Sequence, residues 1–80
     1  MLTEQETLKL LGEVCRVSPE TLKPETRLIQ DLDLDSALAL ELLMELEERL
    51  DREISEVETA KLVTVADVLA FVRQSGESTS

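Results

Sequence analysis

Apolar residues recur at helical spacing along most of the chain and lose that rhythm in one stretch. Leu8, Leu11, Val14 and Cys15 fall on one helical face, and Thr3-Glu4-Gln5-Glu6 ahead of them has the spacing of a capping box. A first helix is therefore predicted from about Thr3 to Arg16, ended by Ser18-Pro19. From Ser18 to Asp35 there are two prolines and five apolar residues, Leu22, Leu28, Ile29, Leu32 and Leu34, with no sustained period. This stretch reads as a long loop pinned to the core by those side chains, and loops of that length in small domains are often functional. A second helix is predicted from Ser36 to about Asp51. Ser55-Glu56-Val57-Glu58 repeats the capping-box spacing before a short helix ending near Leu62, and Thr64 with Asp67 begins a last helix to about Gln74. With no strand-like alternation, the expected fold is all-α: a small bundle of three main helices plus one short helix. Residues 1–75 would form the domain and residues 76–80 a disordered tail.

The second helix carries two apolar sets. At ~100° per residue, Ala39, Leu42, Leu43, Leu46 and Leu50 share one arc and form the predicted core stripe. Leu40 and Met44 lie on the far side, one turn apart, with Ala37 beside them and Glu41, Glu47 and Glu48 around the same face. An exposed apolar pair ringed by carboxylates suits transient docking, because long-range attraction brings in a basic partner and a small apolar contact sets the register. The same pair also reads as scattered surface hydrophobes, which are common.

Composition narrows the function classes. The 80 residues carry 18 acidic and 8 basic side chains, a formal charge of −10, yet 42% of the chain is hydrophobic, too apolar for an acidic tail. The apolar share is mostly aliphatic, with one aromatic residue, Phe71. Residues 31–58 hold eleven acids and two bases, so one region carries nearly all the field. That field disfavours nucleic acid and favours basic protein surfaces. No apolar run approaches the ~20 residues of a membrane span. The single cysteine, Cys15, cannot form an internal disulfide, and Met1-Leu2-Thr3-Glu4 does not resemble a leader, so a cytoplasmic monomer is expected.

Asp31, Asp33 and Asp35 alternate like the first ligands of an EF-hand, but Ser36 stands where that loop needs glycine and Leu42 where it needs a bidentate acid. No metal site is expected. Asp35-Ser36 suggests nucleophilic catalysis only superficially: the chain has no histidine, and no lysine lies near Ser36 in sequence to serve as a base. Read alone, the pair is a helix cap.

The longer string D-L-D-L-D-S-A-L-A-L-E-L-L-M-E-L-E-E-R-L-D-R-E-I, residues 31–54, resembles the acyl carrier proteins, and a weaker likeness continues through Lys61 and Thr64-Val65. The resemblance implies a 4′-phosphopantetheine arm, derived from coenzyme A, on Ser36, with Asp35 as its motif neighbour. It implies a carrier rather than an enzyme, modified by a phosphopantetheinyl transferase and holding acyl cargo as thioesters for fatty-acid or related lipid and polyketide enzymes. It also places Ala37, Leu40, Glu41, Met44, Glu47 and Glu48 where carriers meet basic enzyme surfaces. The chain departs from the family's usual pattern at Ala37 (customarily leucine), Asp33 (often glycine), Leu38 (often polar) and Leu50 (often aromatic). An aminoacyl or peptidyl carrier, and an unmodified acidic helical adaptor, stand as the alternatives.

Overall fold

A computed structural model describes residues 2–77 and contains four helices: α1 Glu4–Cys15, α2 Ser36–Leu50, α3 Glu56–Ala60 and α4 Val65–Glu77. A single 3-10 turn, Pro19–Thr21, follows α1. The helix starts form where local chemistry places them. Thr3 and Ser55 each accept the N–H of the third helical residue, Glu6 and Glu58, whose carboxylates accept from the Thr3 and Ser55 N–H groups. At the head of α4, Asp67 Oδ2 accepts from the N–H groups of Val63 (3.1 Å) and Thr64 (3.0 Å). These bonds, led by the backbone N–H of Thr3, Ser55 and Thr64 respectively, hold the Glu6, Glu58 and Asp67 carboxyls below their ordinary pKa values. Their stabilisation is present above the ordinary carboxylate range and is lost as pH falls through the lowered values.

Helices α1, α2 and α4 pack on one another and bury an aliphatic core. Leu11 from α1, Leu46 from α2 and Val68 from α4 are fully buried at its centre, with Leu10, Val14, Leu42, Val65 and Val72 around them. Of the predicted α2 stripe, Leu42 and Leu46 are buried, while Ala39, Leu43 and Leu50 are half-buried at its margins. Among the described residues Thr7 is the one buried polar residue; its hydroxyl donates to the Thr3 carbonyl at 2.8 Å, so it is buried without an unpaired group.

The long loop is pinned as expected by Leu22, Leu28 and Leu34, which are buried, and by half-buried Leu32. Ile29 corrects the expectation: it is 69% exposed. The reason is backbone pairing. Arg27 and Thr64 form an isolated antiparallel bridge, flanked by Leu28 N–H to Val63 O and Val65 N–H to Thr26 O, both 2.9 Å. The chain turns directly after the bridge, closed by the Asp31 N–H to the Arg27 carbonyl at 2.9 Å, so Leu28 stays inward beside Val63 while Ile29 sits on the outside of the turn. The last helix also continues past Gln74 to Glu77, taking in two residues of the expected tail; Ser78 to Ser80 lie outside the described residues.

Gly12 sits within α1 where the chain doubles back. Arg16 ends the helix in a left-handed conformation (φ 60°), and a Cβ at Gly12 would lie 2.6 Å from the Val17 carbonyl oxygen and 3.2 Å from the Pro19 ring. Helix propensity alone favours alanine over glycine by about 1 kcal/mol. The collision with backbone outweighs it, so Gly12→Ala is expected to lower the thermal midpoint, by roughly 4–8 °C per kcal/mol lost in a domain this small. A midpoint raised by the substitution, measured by circular dichroism, would show that the turn yields freely.

Candidate functional site

The head of α2 is built by three aspartates with separate tasks. Asp31 Oδ2 accepts the Arg27 N–H at 2.8 Å and folds the loop back on itself. Asp33 adopts a left-handed backbone, φ 55°, which turns the chain toward the helix. Asp35 is the N-cap: its backbone is extended and its Oδ1 accepts the Leu38 N–H at 2.8 Å. The alternation that resembled a calcium loop is thus accounted for by turn and cap geometry. Among the described residues no three His, Cys, Asp or Glu side chains converge to hold a metal ion.

Capping at Asp35 makes Ser36 the first residue of α2, and Ser36 and Ala37 are both exposed. Because Asp35 takes the Leu38 N–H, the amides of Ser36 and Ala37 are among the orphan donors that every helix start presents. An exposed hydroxyl beside free amides and the positive end of a helix dipole suits a phosphodiester. The chain contains no histidine to act as a base for that hydroxyl. Ser36 presents its hydroxyl to solvent at the helix start.

Beyond Ser36, Leu40 and Met44 are each 60% exposed. Together with Leu43 they face Ile54, Thr59 and Ala60 across a groove of about 390 Å³ between α2 and α3. Glu41 and Glu48 are exposed on the same helix, but Glu41 borders a hollow on the α1 side with Glu45 and Arg49. Glu47 differs from both: it is half-buried and its Oε2 accepts the Ile54 N–H at 2.8 Å, tying the segment after α2 to the helix. The far wall of the groove, Ile54, Thr59 and Ala60, was not singled out in the sequence. Cys15 is half-buried on α1, and burial pushes its thiol pKa up, so it is a packing residue with suppressed reactivity.

A family model described as the phosphopantetheine attachment site matches residues 5–72. The acyl carrier protein of Campylobacter curvus (strain 525.92) is 40% identical over 65 residues, covering 81% of this chain and 84% of that one. The acyl carrier protein of Campylobacter concisus (strain 13826) is 34% identical over 77 residues, covering 96% and 100%. Among solved structures, a candidate acyl carrier protein from Mycobacterium tuberculosis superposes with a TM-score of 0.78 at 27% identity, over 88% of this chain and 93% of that one. The chain belongs to the phosphopantetheine-binding carriers, as an acyl carrier protein. It is accordingly a carrier and not an enzyme, and its cofactor is 4′-phosphopantetheine. The hydroxyl and amides at the start of α2 fit that group.

Asp33 holds a positive φ of 55°, in the region that glycine adopts most freely. Aspartate tolerates the left-handed region better than most residues but less well than glycine. Asp33→Gly is expected to stabilise the protein by about 0.5–1 kcal/mol. Asp33→Asn removes the same charge while keeping a Cβ, so it should recover only the part due to relieved repulsion. Equal thermal midpoints for the two variants would assign the whole effect to charge and none to the backbone.

Proposed function

We propose that this carrier holds acyl intermediates as thioesters on a 4′-phosphopantetheine arm attached through Ser36 Oγ, and presents them, as a cytoplasmic monomer, to fatty-acid or related specialised lipid or polyketide enzymes. The observation that carries the reading is the placement of Ser36: first residue of α2, exposed, with Asp35 capping the turn beneath it. A phosphopantetheinyl transferase supplies the arm from coenzyme A, and the arm supplies the thiol that bears the acyl group. The chain's own residues do the rest. Amides at the helix start receive the phosphodiester charge, and the exposed Ala37, Leu40 and Met44 form an apolar contact for the partner.

The acidic side chains around that contact steer a basic partner toward it. Glu41 and Glu48 are exposed and suited to this role, whereas Glu47 also secures Ile54 and therefore serves packing as well as charge. Rim charges act chiefly on association rate and are screened by salt. Cargo other than a simple acyl chain, such as an aminoacyl group, would use the same arm.

Intact-mass spectrometry after incubation with coenzyme A and a phosphopantetheinyl transferase tests the assignment. Wild type should gain one phosphopantetheine and Ser36→Ala none, while Glu48→Lys should be modified about three- to tenfold more slowly at low salt, a deficit that shrinks at high salt. Wild type left unmodified by competent transferases, or modification persisting in Ser36→Ala, would overturn it.

A further inference from the structure

We propose that Arg52 is a positioning residue that latches α3 to the body of the bundle, and so sets how space is shared between the two apolar grooves flanking that short helix. None of the residues of α3 is buried, so the helix has no hydrophobic anchor of its own. Its flanks are fixed: Ile54 is held by Glu47, and Val63 and Thr64 are paired with the long loop. Between those points the restraint is polar. Arg52 Nη2 donates to both carboxylate oxygens of Glu58 on α3, at 2.8 and 3.0 Å. Its Nη1 donates to Ser75 Oγ on α4 at 3.2 Å, its Nε donates to the Glu53 carbonyl at 3.2 Å, and the guanidinium lies 5.2 Å from the centroid of the Phe71 ring. One side chain therefore joins the end of α2, α3 and α4.

The grooves give the latch its consequence. Thr59 and Ala60 line both the groove against α2, about 390 Å³, and a second one of about 410 Å³ against Ile29, Gln30, Leu62 and Val63. Because Thr59 and Ala60 are a shared wall, movement of α3 away from Arg52 changes both grooves together. Exposed Ile29 and Val63 are apolar surface on the second groove that the bundle core does not use. For an acyl carrier this partition governs which recess is offered to cargo. That last consequence rests on the carrier reading; the latch does not.

The choice of arginine is chemical. A guanidinium places three separate nitrogens toward Glu58, Ser75 and the Glu53 carbonyl while lying near the Phe71 ring, which a single ammonium nitrogen cannot reproduce. Glu58 has a second task in the capping box of α3, and glutamine at that position preserves the box while removing the charge. Arg52→Gln and Glu58→Gln thus separate latch from cap.

Amide hydrogen exchange at Thr59 and Leu62, whose N–H groups donate to Ser55 O and Thr59 O, reads the position of α3 in the unmodified full chain. Arg52→Gln should exchange severalfold faster at these amides, with the slowest amides of α1 and α4 unchanged. Glu58→Gln should act in the same direction, the double variant should be no faster than the faster single one, and Arg52→Lys should recover part of the protection. Raising salt should narrow the gap between wild type and Arg52→Gln. Unchanged exchange in Arg52→Gln would overturn the latch, and so would uniform acceleration across all helices or a gap indifferent to salt. The Ser36 modification does not enter this readout, so the latch and the carrier reading fail independently.

Discussion

The bond from the Leu38 amide to the Asp35 carboxylate decides where α2 begins, and with it which residue meets solvent at the helix start. One residue earlier or later, and a different side chain would occupy the exposed first position beside the orphan amides. The cap itself depends on the turn before it. Asp33 bends the chain through a left-handed conformation, and Leu34 anchors the turn by burial and by an N–H bond to the Leu28 carbonyl at 3.1 Å. Position 36 is thus specified by a chain of local bonds ending in a non-local one, the pairing of the loop with the head of α4.

Charge and core pull against each other in this molecule. A net charge of −10 concentrated along α2 and α3 disfavours compaction, while the hydrophobic core of the bundle is made of leucines and valines. The conflict is resolved by position. The core elements meet through α1, α2 and α4, and the acids are placed on the outward face of α2 and on α3, which buries nothing. Where acids come close to the body they are employed in bonds: Glu47 to Ile54, Glu58 to Ser55 and Arg52, Asp67 to Val63 and Thr64. Glu41 and Glu48 are exposed to water and available to a partner.

Much of this was legible in the sequence because it is local. Capping boxes at Thr3 and Ser55 and the Asp35 cap announce helix starts through residues only three apart, and the helical period of α2 separates Leu42 and Leu46 from Leu40 and Met44 without any tertiary knowledge. What escaped was non-local. Apolar character suggested that Ile29 would join Leu28 in the core, but the chain turns directly after the bridge between Arg27 and Thr64 and leaves Ile29 outside. Nothing in the acidic run distinguishes Glu47 from Glu48 until the chain folds back and brings the Ile54 amide to it. Arg52 likewise reads as one base in an acidic stretch; its four contacts come from segments up to 23 residues away.

The central claim is that Ser36, set by its cap at the head of an acidic helix, is the point where the prosthetic arm joins the chain. Intact and fragment masses of the protein isolated from its own cells test this most directly. The account predicts a phosphopantetheine, free or acylated, confined to the peptide that contains Ser36. Native protein consisting only of bare polypeptide, or an arm located on another residue, would contradict it.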